Sequence, residues 1–542
     1  MAGGPGNGPD GPEVANLALA ARLQRFNGML VFLMAYMAFC AFNYGYDVGT
    51  FGGVQAMQSF ASKFGKCNAD GVCALPGWQS SVMTSTPFLG KAIGCMVAGG
   101  IAERWGRKAA ILALCTTSFV GVTLQTASFT SVAQFTIGRI ITYGMTGIAI
   151  VVVPIYQAET SPRELRGMFG ATIQVMIVFG QVVSTLITYG TKDFQSSAGW
   201  RIPVGLQLVM PTIIFLLLPF VPESPRWLLS RDRREDAVVN LKRLRRASSD
   251  EEIQLEIEAL AYAHAQEKKG PWSEVFNQDN RVRTSVAILA MFGQQITGQA
   301  FPSQYGVIFY QSQGLGDMSF LLNVISNIVS LVAVVLTWFY VDGVGRRPCL
   351  MLGGFFMGAF LFLLGGVGTV DASDLNSHLK GLMVASLMGF SFFYNLSWAP
   401  CSFIVVSEAG AQRVKEKTNL LACVVSVLTT FVTSFTTPYL INEAYANLGG
   451  KVGFIYGSIN MVMVVMVFFF IPELKGRTLE EIDQLFTSGL PLRKFKKGQT
   501  RPATEIYQDQ VDQETGKLVN RVDSSEPVLL SQYQVTDGPI RA

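Results

Sequence analysis

Twelve apolar stretches, each about 20 residues long, run through this chain. They fall near 28–51, 82–102, 109–129, 135–155, 169–190, 202–221, 283–311, 320–341, 350–370, 381–406, 419–440 and 453–472. A helix of that length crosses the hydrocarbon of a bilayer, and within hydrocarbon only helices and closed barrels satisfy their own backbone. The pattern therefore predicts an all-α membrane protein of twelve transmembrane helices. Composition agrees: 50% of residues are hydrophobic and 15% charged, too apolar and too weakly charged for a soluble chain of 542 residues. Met1 to Asn16 is polar and rich in Gly and Pro, without a basic start or small-residue cleavage site, so no removable signal peptide is expected. The first span would direct insertion itself.

Charge between the spans predicts the orientation. The linkers after the even-numbered spans carry Arg104, Arg107 and Lys108; Arg163 and Arg166; Arg346 and Arg347; and Arg413, Lys415 and Lys417. On the other side, Ser128 to Ala133 and Gln311 to Ser319 hold no Lys or Arg. The positive-inside bias then puts both termini in the cytoplasm. Cys67 and Cys73 fall in the long first outer loop, where either a disulfide or two free thiols fits. The other six cysteines are scattered, and with only two histidines, His264 and His378, no metal site is expected.

The segment from Ser230 to Asn280 differs in kind. Charged residues there alternate with Leu241, Leu244, Ile253, Leu255, Ile257 and Leu260 at helical intervals, which reads as short amphipathic helices. It divides the chain into two halves that echo each other. Gly100-Ile101-Ala102-Glu103-Arg104-Trp105-Gly106-Arg107-Lys108 is answered by Val341-Asp342-Gly343-Val344-Gly345-Arg346-Arg347, Glu159 by Glu408, and Pro222-Glu223 by Pro472-Glu473. These pairs lie about 240 to 250 residues apart, a half-chain period. Two parallel six-helix halves with a site between them near the midplane is a transporter plan. The expected organisation is a cytoplasmic tail at 1–24, six-helix halves at 25–229 and 282–487, a cytoplasmic helical linker domain at 230–281, and a disordered tail at 488–542.

Several polar side chains sit inside the spans. Asp47 is a carboxylate in the first, and a bare charge in hydrocarbon costs at least ~2.5 kcal/mol, so it marks function by default. A cationic partner or a bound proton relieves that cost. Arg139, early in the fourth span, lies at matching depth. Gln174, Gln294 and Gln295 should face the bundle interior, because lipid-facing amides are costly. There they either meet a hydroxyl-rich solute or bond helix to helix. Lys91, midway along the second span, could snorkel, pair with a carboxylate, or meet an anionic substrate.

In order along the chain come Gly45-Tyr46-Asp47; Glu103-Arg104-Trp105-Gly106-Arg107-Lys108; Gly138-Arg139; Pro222-Glu223-Ser224-Pro225-Arg226; Gln294-Gln295; Asp342-Gly343-Val344-Gly345-Arg346-Arg347; and Pro472-Glu473-Leu474-Lys475-Gly476-Arg477. Over roughly Arg25 to Phe486 the chain resembles the sugar porter family of the major facilitator superfamily, and its first motif resembles proton-coupled members. The resemblance implies the major facilitator fold and proton coupling by Asp47 and Arg139. It implies sugar contacts at Gln174, Gln294, Gln295, Asn327, Trp398 and Phe403. It also implies a cytoplasmic gate built from Arg104, Arg107, Glu159, Arg166, Glu223, Arg346, Arg347, Glu408 and Arg413. The chain departs from the family pattern at Ala300, Phe403, Ser330, Ser426 and Val427, so the amino-terminal half of the site is kept better.

The expected function is sugar:proton symport that imports a monosaccharide, with the proton as coupling ion and no cofactor. The alternatives are a passive uniporter, a carrier of a disaccharide, polyol or sugar acid, and a non-transporting sugar sensor. No phosphate loop or nucleophile–His pair supports an enzyme. The expected partners are a small-molecule sugar, protons and membrane lipid but no nucleic acid, with the chain acting as a monomer in the plasma membrane.

Overall fold

The computed structural model describes residues 27–500, apart from 69–72, 162–165, 246–248, 267–269, 371–374 and positions 443, 478 and 499. Ten of its helices are long and apolar enough to cross a membrane. The second and seventh spans complete a set of twelve, and each is broken: the second at Thr86, between Gly77–Ser85 and Pro87–Arg104, the seventh between Arg281–Ile296 and Ala300–Ser312. The tenth, Ser377–Ala409, contains a π-helical turn at Tyr394–Trp398. Such turns insert a residue into the helix and re-aim the side chains that follow.

Each half has its own apolar core. Leu30, Tyr36, Ala110, Leu114, Val152 and Ile214 pack together in the first, and Ala287, Phe301, Leu350, Leu361, Trp398 and Val467 in the second. The first span, Gly28–Val54, lies hard against the fifth, Arg166–Thr191. A Cβ at Gly45 would sit 1.9 Å from the Ile177 carbonyl oxygen, so only glycine lets these backbones touch. Asp47 follows two residues later and is fixed by that contact.

One end of the bundle carries a hairpin. After the short helix Gln58–Phe64, strands Lys66–Cys67 and Cys73–Ala74 pair antiparallel, and a disulfide joins Cys67 to Cys73. The opposite end carries the charged linker as helices Pro225–Leu229, Arg234–Leu244 and Asp250–Gln266, packed through Leu228, Leu241, Ile253 and Ile257.

The repeated Gly-Arg motifs adopt one conformation in both halves. Gly106 and Gly345 have φ of 94° and 99°, a region that favours glycine, and each begins a long helix. Glu223 then accepts from the Arg107 and Lys108 amides at 3.0 and 3.2 Å, and Glu473 from those of Arg346 and Arg347 at 3.0 and 3.1 Å. Each carboxylate thus fills the orphan donors of a helix N-terminus.

The tail expected to lose structure from Ser488 stays ordered further along. Leu492–Lys497 forms a 3₁₀ turn whose Phe495 is buried against Leu474, Ile482 and Leu485. Arg477 ties this turn down by donating to the carbonyls of Phe495 and Gly498 at 3.0 and 2.8 Å. The sequence around it looks polar because one aromatic and one guanidinium do the anchoring.

Candidate functional site

Asp47 and Arg139 are both buried, at 4% and 3% exposure, and face the same interior. The expected ion pair between them is not formed. Asp47 Oδ2 has no hydrogen-bond partner, and neither has Arg139 Nη1. Arg139 Nη2 donates to the Tyr143 hydroxyl at 3.2 Å, and the guanidinium carbon lies 3.7 Å from the Phe51 ring centre. The cation therefore rests on an aromatic face, which offsets part of its desolvation, while the carboxylate stands open. Phe51 and Tyr143 each lie four residues, one helical turn, beyond Asp47 and Arg139. Neither was singled out from the sequence, although that spacing was the signal.

Across the seam, the seventh span carries Gln294 and Gln295, and the tenth backs them. Gln294 is buried and donates to the carbonyls of Trp398 and Ala399 at 3.4 and 2.9 Å. Its own carbonyl accepts from Gln295 at 3.0 Å, which leaves the half-buried Gln295 with its Oε1 to offer. Trp398 is fully buried, its ring against Gly293 and Gly354, so it backs Gln294 rather than facing open space. Phe403 is exposed. Asn327 is half-buried and donates to the Asn323 carbonyl at 2.9 Å. Gln174 is half-buried on the fifth span, and Gln181, two turns along the same face, packs beside Gly49. Gln181 was not selected from the sequence, although its seven-residue spacing from Gln174 carried the signal.

Lys91 pairs with no carboxylate. Its Nζ donates to the Tyr44 hydroxyl at 3.0 Å and lies 5.0 Å from that ring's centre. Tyr44 is three residues before Asp47, at mid-depth in the first span.

At the linker end Arg107 and Arg346 each pair with a glutamate of their own half, and Arg413 pairs with the linker. Arg107 forms a bidentate pair with Glu159, at 2.8 Å from Nε and 2.5 Å from Nη2, and also donates to the Ala102 carbonyl at 2.9 Å. Arg346 Nη2 reaches Glu408 at 3.0 Å. Arg413 lies 3.6 Å from Glu274 of the linker, and Arg347 donates to the Phe468 carbonyl. Arg104 is exposed, with its guanidinium 5.2 Å from the Trp105 ring. The side chain of Arg166 lies outside the described residues. Glu223 is a helix cap rather than a partner for an arginine side chain, because the amides of Arg107 and Lys108 occupy both its oxygens.

Among the described residues, three hydrogen bonds at the hairpin end join the halves: Gln55 to the Gln304 carbonyl at 2.7 Å, Ser81 to the Phe435 carbonyl at 2.9 Å, and Gln311 to the Ala56 carbonyl at 3.3 Å.

A profile of the family described as "Sugar (and other) transporter" matches residues 33–486. A low-affinity glucose transporter of Kluyveromyces lactis is 31% identical over 473 residues, covering 84% of this chain and 82% of its own. A high-affinity glucose transporter of Schizosaccharomyces pombe is 28% identical, covering 86% and 88%. Among solved structures, a partially occluded, inward-open form of the xylose transporter XylE from E. coli superposes with a TM-score of 0.70. It is 21% identical, and the match covers 83% of this chain and all of that one.

Proposed function

The chain is an integral membrane protein of the sugar (and other) transporter family, and from that premise we propose that it imports a monosaccharide together with a proton, by alternating access. The observation that carries the coupling is Asp47: a buried carboxylate at mid-span with an unbonded oxygen, beside an arginine turned onto Phe51 and Tyr143. With the guanidinium aside, a proton is what neutralises the carboxylate. When the guanidinium swings back, the pair forms and the proton leaves. Sugar binding would couple to that swing through the seam between the first, fourth and seventh spans.

The relatives are glucose transporters by name, which supports a hexose-sized solute. Gln174, Gln295 and Asn327 offer amides for its hydroxyls, and Gln294 and Trp398 hold Gln295 in place. The linker end is taken as cytoplasmic, with both termini there and the plasma membrane as the site of action. The three hydrogen bonds at the hairpin end then support an arrangement closed to the outside. No cofactor is required, and a monomer contains the whole pathway.

The test is uptake of labelled glucose into proteoliposomes with and without an inward proton gradient. Symport gives accumulation that a protonophore abolishes. Uptake unaffected by the protonophore would make the chain a passive carrier, and binding without flux would make it a sensor.

A further inference from the structure

In the middle of the described spans, away from their ends, stand three charged residues: Asp47, Lys91 and Arg139. Two cations against one anion leave a net charge of +1 with Asp47 ionised and +2 with it protonated. An uncompensated charge at that depth is costly, and such residues mark substrate or ion pathways.

Lys91 is the unexplained member. It does not snorkel: its Nζ is held at mid-depth by the Tyr44 hydroxyl, 3.0 Å away, rather than drawn to either headgroup region. It has no carboxylate partner among the described residues. It stands at the seam between the halves, where its neighbour Ala92 packs in a cluster with Tyr143 of the fourth span and Phe431 of the eleventh. One turn before it, Phe88 packs against Tyr143 at 5.4 Å between ring centres and touches Val427 of the other half. An ammonium has three donors, and Tyr44 takes one. Arg139 donates to the Tyr143 hydroxyl, and Phe88, one turn from Lys91, packs on the same ring, so the two cations flank one aromatic at the seam.

We propose that this central site is built for a sugar bearing a carboxylate, a uronate or an aldonate, and that Lys91 selects it. The inference deepens the transport function proposed above and rests on it. A monoanion restores neutrality when Asp47 is ionised and leaves +1 when it is protonated. One monoanion carried with one proton moves no net charge across the membrane, whereas a neutral sugar with one proton moves one positive charge.

The experiment uses the purified full-length chain in proteoliposomes, with D-glucuronate and D-gluconate set against D-glucose. Glucuronate and glucose share a ring and differ only at C6. The expected result is proton-driven glucuronate uptake that an imposed potassium–valinomycin potential leaves unchanged. K91Q keeps a donor for Tyr44 but loses the charge, and should shift the glucuronate-to-glucose preference about tenfold or more toward glucose. K91R should keep the preference for the acid. Glucose uptake that neither acid inhibits would overturn the inference and leave the transport reading standing. So would a preference unchanged in K91Q. If neither sugar nor acid enters or exchanges, both readings fall. Should K91Q not fold, the wild-type competition and its dependence on potential decide.

Discussion

Asp47→Asn isolates the coupling step. Asp47 Oδ2 has no hydrogen-bond partner, so replacing it with an amide removes no bond, and Arg139 already rests on Phe51 and Tyr143. The variant should therefore fold, with stability within about 1 kcal/mol of wild type. Asp47 is the only carboxylate in the middle of the described spans, so the proposed symport would carry one proton per cycle. One pH unit is worth about 1.4 kcal/mol, so with the membrane potential clamped at zero it supports at most about tenfold accumulation. Wild type should approach that ratio in proteoliposomes under an inward gradient of one unit. Asp47→Asn should level at a ratio near one while still exchanging labelled for unlabelled sugar. Exchange needs no net proton movement, so it reports an intact pathway. A variant that still accumulates substrate severalfold under the same gradient would refute the assignment of Asp47 as the proton carrier.

Glu159→Gln breaks the bidentate pair with Arg107, whose side chain is 15% exposed, and should cost about 2 kcal/mol in a thermal melt of the purified protein. Trp398→Ala empties a fully buried site and should cost about 3–5 kcal/mol, whereas Phe403→Ala, at an exposed side chain, should stay within about 0.5 kcal/mol by the same assay. Gly106→Ala places a Cβ at a φ of 94° and 2.6 Å from the Glu223 carboxylate, and should lower stability by about 1–2 kcal/mol. If Gly106→Ala melts like wild type, Glu223 is not the cap described.

The bundle was legible in the chain because hydrocarbon permits so few folds. Apolar stretches of the right length fixed the number of spans, and the half-chain echo fixed their division. Arg107 and Glu159 were both expected in a cytoplasmic gate, but which carboxylate each guanidinium meets is seen only in the fold. Side-chain direction at Asp47 and Arg139 was not legible either, because matching depth says two groups can meet but not which rotamer a neighbouring ring stabilises. The partner of Lys91 was hidden for the same reason: Tyr44 reads as an ordinary interfacial or core aromatic until its hydroxyl is seen under the ammonium. Glu223 looked like one more gate charge, and only the positive φ of Gly106 shows why its carboxylate turns to backbone amides. The order at Leu492–Lys497 escaped because a single buried Phe495 leaves no periodic trace.

Among the described residues, the hydrogen bonds between the halves at the hairpin end are few and neutral, and they sit beside an apolar seam where Val307 and Phe320 pack against Phe51, Val54 and Phe60. Gln55, Ser81 and Gln311 each give one donor to a backbone carbonyl across the divide. At about 1 kcal/mol net apiece they weigh the balance by about 3 kcal/mol, or roughly a hundredfold in population. The pairs Arg107–Glu159 and Arg346–Glu408 each lie within one half, so a tilt of the halves does not require either to break. A solute that favours the alternative tilt must outweigh those hydrogen bonds and also the apolar faces that the tilt would part.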